Sequence, residues 1–197
     1  MSRRVIVGFS GASGVVYGLR LVNVLCDLRV SGLIDRLYIV YTGNAVKVAH
    51  YEINIDLLDI LSGRKCIDGL YSDYDWDSPL ASSSSTIGYS MAIIPCSMDV
   101  VANLAHGIQH RLLERVAYNV MRVGGKIVLV IRETPLTQID LENLLKLSRS
   151  GVVILPASPA FYIKPKSIND LIDFIVGKTL DILGIEHKLY RRWRGPA

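Results

Sequence analysis

Four short stretches combine glycine, hydroxyl, charge and aromatic groups in ways that could handle a phosphorylated ligand. The first, Gly8-Phe-Ser-Gly11-Ala-Ser-Gly14, has the spacing G-x-x-G-x-x-G. It stands between an apolar run, Arg4 to Phe9, and a helical pattern of Val15, Leu19, Val22 and Cys26. Backbone amides at a helix start, with no side chains in front of them, make an anion cradle; the alternative is a tight strand-to-helix turn with no ligand. The second, Pro95-Cys96-Ser97, ends another apolar run, and the Ser97 hydroxyl either caps the next helix or also bonds a ligand. Cys96 has no histidine partner in the pattern and reads as a small buried residue, not a nucleophile. The third, Arg132-Glu133-Thr134-Pro135-Leu136, puts a charged pair where a buried strand emerges, which is either site material or a structural ion pair. The fourth, Pro156 to Tyr162, is a proline-ordered loop whose Phe161 and Tyr162 could stack on a planar ring or face a carbocation.

Several chemistries are disfavoured by the same residues. No Gly-Lys-Ser/Thr follows the glycine turn, so it is not a Walker loop and nucleoside triphosphate hydrolysis is not expected. A dinucleotide site wants an acidic residue at the end of the second strand, where this chain has Tyr41-Thr42-Gly43. Tyr162 and Lys166 have the spacing of a Tyr-x-x-x-Lys pair, but Pro165 forbids a regular helix between them. His106 and His110 have metal spacing on a helix, yet Gly107 intervenes and no third ligand is in view, so no metal is expected.

The elements that must position these stretches follow from periodicity. Arg4 to Phe9, Leu37 to Tyr41, Met91 to Pro95, Ile127 to Ile131 and Val152 to Leu155 read as strands. Between them lie helical stretches at Asp56 to Leu61, Val100 to Ala105, Arg111 to Val123 and Ile139 to Leu147; a last helix carries Ile168, Leu171, Ile172, Ile175 and Val176 on one face. Strands apolar on both faces, alternating with helices, predict an α/β fold with a parallel sheet covered on both sides, whose ligands bind at the carboxyl ends of the strands. Ser82 to Ser85 reads as a solvated loop, with a further role left open.

The chain has 197 residues, half of them hydrophobic and 20% charged, enough for one well-buried domain. Its longest apolar runs are five or six residues, such as Ile127 to Ile131, so no membrane span and a soluble protein are expected. Cys26, Cys66 and Cys96 are odd in number and widely spaced, which suggests neither a disulfide framework nor a zinc site and points to a reducing, cytoplasmic home. The net charge is +4, and Glu186 to Ala197 carry +3 of it through Lys188, Arg191, Arg192 and Arg194 against one acid. No basic face for nucleic acid remains. The expected organisation is a single domain over 1–185 and a basic tail over 186–197 that docks near the active site.

Taken together and in order, these residues resemble the UbiX-type flavin prenyltransferases. The matching stretches are Val7-Gly-x-Ser-Gly-Ala-Ser-Gly14, Ile94-Pro-Cys-Ser97, Val130-x-Arg-Glu-Thr-Pro-Leu136, Pro159-Ala-Phe-Tyr162 and Leu180-Asp-x-Leu-Gly184, which span nearly the whole chain. The resemblance implies a Rossmann-like, flavodoxin-related three-layer fold and a dodecameric assembly. It implies transfer of a dimethylallyl group from dimethylallyl monophosphate to the N5 and C6 atoms of reduced FMN. The product, prenylated FMN, would serve a UbiD-type decarboxylase.

Carried over by position, the resemblance assigns Gly11, Ala12 and Ser13 to the FMN phosphate end, with Thr42 standing where relatives often have serine. Ser97, Met98, Asp99 and Val100 would take the isoalloxazine side, Val100 replacing the usual threonine. Arg132 would bridge flavin and prenyl phosphate, while Arg122, Tyr162 and Lys178 would complete the phosphate pocket. Arg122 stands for the relatives' lysine and Lys178 for their arginine, exchanges that keep charge but change bidentate geometry. The resemblance makes Glu133 a proton donor or acceptor, gives Ser13 and Glu52 catalytic places, and sets Tyr162 and Trp193 against the dimethylallyl cation. No Asp-Asp-x-x-Asp occurs, so the leaving phosphate would be met by Arg and Lys without a metal.

Two other functions compete. An FMN-dependent cysteine decarboxylase of the phosphopantothenoylcysteine type would place a histidine shortly before the Ile94 strand and a Pro-x-Met-Asn segment at Pro159, and this chain has neither. A non-catalytic flavin carrier would have no need of Glu133 or Lys178.

Overall fold

The computed structural model describes residues 3–193 and Gly195. In chain order they form β1 (Arg4–Phe9), α1 (Val15–Val30), β2 (Arg36–Tyr41), α2 (Gly43–Ile53), α3 (Leu57–Leu61) and β3 (Gly69–Ser72). Then come β4 (Tyr89–Cys96), α4 (Met98–His106), α5 (Leu112–Arg122), β5 (Ile127–Ile131), α6 (Gln138–Arg149), β6 (Val153–Pro156) and α7 (Ile168–Leu183). The six strands make one sheet in the order β3-β2-β1-β4-β5-β6, and every neighbouring pair is parallel.

Alternation along the strands divides the apolar residues between two cores, because successive side chains point to opposite faces of a sheet. Val5 and Val7 of β1, Ile39 of β2 and Val128 and Val130 of β5 pack with residues of α1, α2, α3 and α7. Ile6, Val40, Leu129 and Ile131, the alternate positions, pack with residues of α4, α5 and α6 on the other face. At Gly18 a Cβ would lie 2.4 Å from the Ile94 carbonyl oxygen and 2.4 Å from Phe9 Cε1, so α1 rests its backbone directly on the sheet.

The expected strands and helices are present, and two elements are added. β3 is a four-residue edge strand, Gly-Leu-Tyr-Ser, too short and too mixed in polarity to stand out as an apolar run. α2 buries only Ala45 and Ala49, so it has no large apolar stripe. The five strands expected from sequence would run in the flavodoxin order 2-1-3-4-5. With β3 at the edge, the full sheet has the doubly wound order 3-2-1-4-5-6.

Two readings are corrected. Cys26 at the end of α1 and Cys66 just before β3 form a disulfide, although they lie 40 residues apart in sequence. Spacing along the chain could not show that the fold brings their Cα atoms to 5.2 Å, and the inference of a reducing compartment loses its support. Arg29 reinforces this corner, donating to the Cys66 carbonyl at 3.0 Å and to Asp68, which also pairs with Arg36. Ser82–Ser85 is not a free solvated loop: two 3₁₀ turns, Pro79–Ala81 and Ser83–Thr86, bury Leu80 and Thr86. Asn119 and Arg115 of α5 hold their carbonyls, at Leu80 and Ala81, at 3.0 Å each.

Candidate active site

Chain connections run in opposite directions from β1 and β4, so a crevice opens between the carboxyl ends of these two strands. Ser10, just past β1 and 2% exposed, fastens its walls. Its hydroxyl donates to the Pro95 carbonyl at 2.8 Å and accepts the Ser97 amide at 2.8 Å, tying the glycine turn to the turn after β4. On either side, the Thr42 amide donates to the Phe9 carbonyl at 2.9 Å and the Ala157 amide to the Ile131 carbonyl at 2.9 Å. Thr42 is buried and its hydroxyl caps α2, accepting from the Ala45 amide at 3.2 Å.

The amides at the start of α1 behave as an anion cradle. Gly14 adopts a left-handed conformation, φ 100°, that favours glycine and turns its N–H outward with that of Val15. The Glu52 carboxylate occupies this position, accepting from Gly14 N at 3.0 and 2.9 Å and from Val15 N at 3.2 Å. A carboxylate is a fair stand-in for a phosphate edge, so the donor set suits an anionic group. Beside it Ala12 is buried, Ser13 is exposed, and Gly11 sits so close to Asn44 that a Cβ would fall 2.6 Å from Asn44 Cβ.

Across the crevice mouth, Arg132 and Glu133 follow β5 without pairing with each other. Glu133 is exposed and its carboxylate accepts from the Thr134 amide at 3.1 Å. Arg132 Nε is buried with no hydrogen-bond partner. A buried donor left unmatched is costly, which sets the structural ion pair aside and marks Arg132 as a group waiting for an acceptor. Tyr17 of α1 lies near it: burial pushes the Tyr17 phenol up, and the Arg132 charge opposes that rise.

Other predicted site residues lie elsewhere on the chain. Tyr162 packs edge-on against Trp193 and Phe174, with ring centroids 5.5 and 6.0 Å apart. Lys178 Nζ stands over the rings of Phe174 at 5.6 Å and Tyr190 at 5.5 Å. These groups form a patch along α7, against which the tail is held by Asp181. Burial raises the Asp181 carboxyl, but hydrogen bonds from Tyr190, Arg192 and His187 outweigh it and hold the group below the usual carboxylate range. The expected tail cation Arg194, with Pro196 and Ala197, lies outside the described residues. Arg122 ends α5 just before β5, at the opposite edge of the sheet from Arg132, a strand length of about 16 Å away. Arg132 and Arg122 are therefore not brought together within one chain.

Three nearby residues carried no sequence signal that singled them out. Asp73, just past β3, is 4% exposed and its Oδ1 has no partner; burial pushes its carboxyl up. Glu114 is fully buried and Arg111 reaches both Glu114 and Asp99. The three-residue spacing of Arg111 and Glu114 at a helix start was visible, but nothing in sequence linked them to Asp99. Among the described residues, no group of three or more His, Cys, Asp or Glu is placed to share a metal ion, and His106 bonds Asn143 at 3.0 Å.

A doubly wound sheet with anion-binding amides at its switch point, and an unmatched arginine at the carboxyl end of the next strand, β5, defines a phosphate-binding α/β protein, and over residues 1–180 the chain matches the Flavoprotein family. The chain belongs to the UbiX flavin prenyltransferases. It is 48% identical to flavin prenyltransferase UbiX of Saccharolobus solfataricus over 195 residues, 98% of this chain and 94% of the relative. It is similar throughout to the crystal structure of AnUbiX in complex with FMN and dimethylallyl pyrophosphate, with a TM-score of 0.89, 34% identity and all of both chains covered. It is also similar to a dodecameric FMN-dependent UbiX-like decarboxylase from Escherichia coli, with a TM-score of 0.88 and 35% identity, covering 98% of this chain and 100% of that one.

Proposed function

We propose that this chain transfers a dimethylallyl group from its phosphate ester to reduced FMN, making a prenylated flavin. The observation that carries the reading is the buried, unpartnered Arg132 Nε at the carboxyl end of β5, on the same end of the sheet as the α1 amides that already hold a carboxylate. Reduced FMN supplies the nucleophilic ring atoms. The chain supplies the rest: Gly11, Ala12, Ser13 and Thr42 for the phosphate end of the flavin, and the turn Ser97, Met98, Asp99 and Val100 for its ring side. Arg132 takes a phosphate oxygen, and its fixed charge stabilises the departing leaving group, the task a metal performs in other prenyl transfers. Glu133, exposed at the mouth and anchored only by the Thr134 amide, is free to accept or return a proton. Glu52 lies on the other wall, and Ser13 beside it.

The cations at Arg122 and Lys178, with Tyr162 and Trp193, belong in this reading to sites completed by neighbouring copies. One chain spreads them over both edges of the sheet and the outer side of α7, while the reaction needs them around a single phosphate. A homododecamer like that of the Escherichia coli relative is the proposed assembly. The domain is taken to run over 1–185, with 186–197 a basic tail that docks near the active site; of its described residues, His187, Tyr190 and Arg192 bond Asp181 of α7. The donor is a dimethylallyl monophosphate or diphosphate, the recipient of the product a UbiD-type decarboxylase, and the location the cytoplasm. No described helix is long and apolar enough to cross a membrane.

A flavin carrier would bind FMN equally well without Glu133. Glu133→Gln should lower turnover by about a hundredfold, within the usual range for a positioned proton-transfer group, while FMN affinity stays within twofold. Retained turnover would favour the carrier.

A further inference from the structure

Beyond the residues assigned to the flavin pocket, a buried charged network reaches its rim. Glu114 on α5 is 0% exposed, which is rare for a carboxylate unless it is matched. Its match is Arg111, the residue before α5: Nε donates to both Glu114 oxygens, at 3.0 and 3.2 Å, and Nη2 donates to Oε1 as well. Arg111 Nη2 also reaches Asp99 Oδ2, at 2.6 Å. Asn103 spans the same two acids, its amide donating to Asp99 Oδ1 at 3.3 Å and to Glu114 Oε1 at 3.5 Å. The Leu112 amide next to Arg111 donates to the Asp73 carbonyl at 2.8 Å, so the network is also pinned to the end of β3.

The orientation of these bonds is informative. Ser97 makes no side-chain cap on α4, so the hydroxyl that a helix start would ordinarily use is left over. The first turn of α4 is instead held from below, by Asp99 gripped through Arg111. A planar guanidinium with its fork on two carboxylates fixes both position and direction, which a lysine could not do. The Asp99 side chain is 62% exposed, so without Arg111 nothing but Asn103 would restrain it.

We propose that Arg111 is a positioning residue: anchored on buried Glu114, it clamps Asp99 and so presets the Ser97 to Val100 turn for the flavin ring. This rests on the reading that the turn takes the flavin. Arg111→Met alone would leave Glu114 buried and unpaired, a change expected to threaten folding. The informative variant is therefore Arg111→Met with Glu114→Met, which removes the pair together and leaves Asp99 in place.

Two measurements test the clamp. In ligand-free protein, amide hydrogen exchange at Val101, whose amide donates to the Ser97 carbonyl at 3.1 Å, and at the next amides of α4 should quicken by about tenfold in the double variant, the size expected for side chains coupled in one hydrogen-bond network. The Kd for FMN should weaken by a similar factor of about ten, Asp99→Asn should weaken it comparably, and the two changes combined should cost little more than either alone. Arg111→Lys should fall between wild type and the double variant. Unchanged exchange at α4 overturns the clamp whether or not FMN binds. Quickened exchange with an unchanged FMN Kd, or additive losses in the combined variant, overturns its role for the flavin. If the wild-type protein takes up no FMN, it is the flavin reading that fails, and the exchange measurement still decides the clamp.

Discussion

Arg132 shows most directly how a side chain can be poor for stability and useful for chemistry. Its Nε is buried and unmatched, which costs stability until an anion arrives. Arg132→Met should therefore leave the thermal midpoint of the ligand-free protein unchanged or slightly raised, while turnover falls by at least a hundredfold, the scale seen when one preorganised charge-stabilising donor is removed. A thermal scan beside a turnover assay checks both signs at once. The sequence made this residue legible because a charged pair after the apolar strand Ile127–Ile131 has no place in a core. It could not show that Glu133 turns to the Thr134 amide and leaves Arg132 alone. Nor could it show that Glu52 reaches across 38 residues of chain to the Gly14 amide, since that bond depends on how α2 lies beside α1.

Among the elements, legibility followed burial. Strands apolar on both faces, such as β1 and β5, announced themselves; β3, half-buried along its whole length, and α2, whose fully buried residues are two alanines, did not. The Cys26–Cys66 disulfide belongs to this same weakly marked region, closing the stretch that holds α2, α3 and Glu52. Cross-linking residues 40 apart is worth about 4 kcal/mol in the chain-entropy picture. For a chain of this size the thermal midpoint should then fall by roughly 10 °C on reduction, and the double variant Cys26→Ala with Cys66→Ala should show the same fall without reductant. A midpoint indifferent to reductant would mean that the bond contributes nothing. The neighbouring Asp68 carries its own signature. Burial raises its carboxyl, yet hydrogen bonds from Arg29, the Leu37 amide and Arg36 hold it well below the usual carboxylate range. Its contribution is thus complete above the unfolded-state value and is lost as pH falls through the folded one.

At the scale of the whole molecule, the chain scatters a phosphate site's cations over separate surfaces. Arg132 stands at the carboxyl edge of the sheet, Arg122 at the opposite edge and Lys178 on the outer side of α7. If neighbouring copies complete each site, Arg132→Ala chains and Lys178→Ala chains, each nearly inactive alone, should regain activity when co-assembled. About a quarter of sites in an equal mixture would draw an intact residue from both sources in a closed symmetric oligomer. A site built within one chain would stay inactive in every mixture. The fold class was read from the order of strands and helices, but no periodicity reports which surface of one copy meets the crevice of another. Prenyl transfer in this crevice is read most directly from its product. Purified protein supplied with reduced FMN and a dimethylallyl phosphate should release a flavin heavier by one five-carbon unit, seen by mass spectrometry. A flavin of unchanged mass, with FMN binding retained, would contradict it.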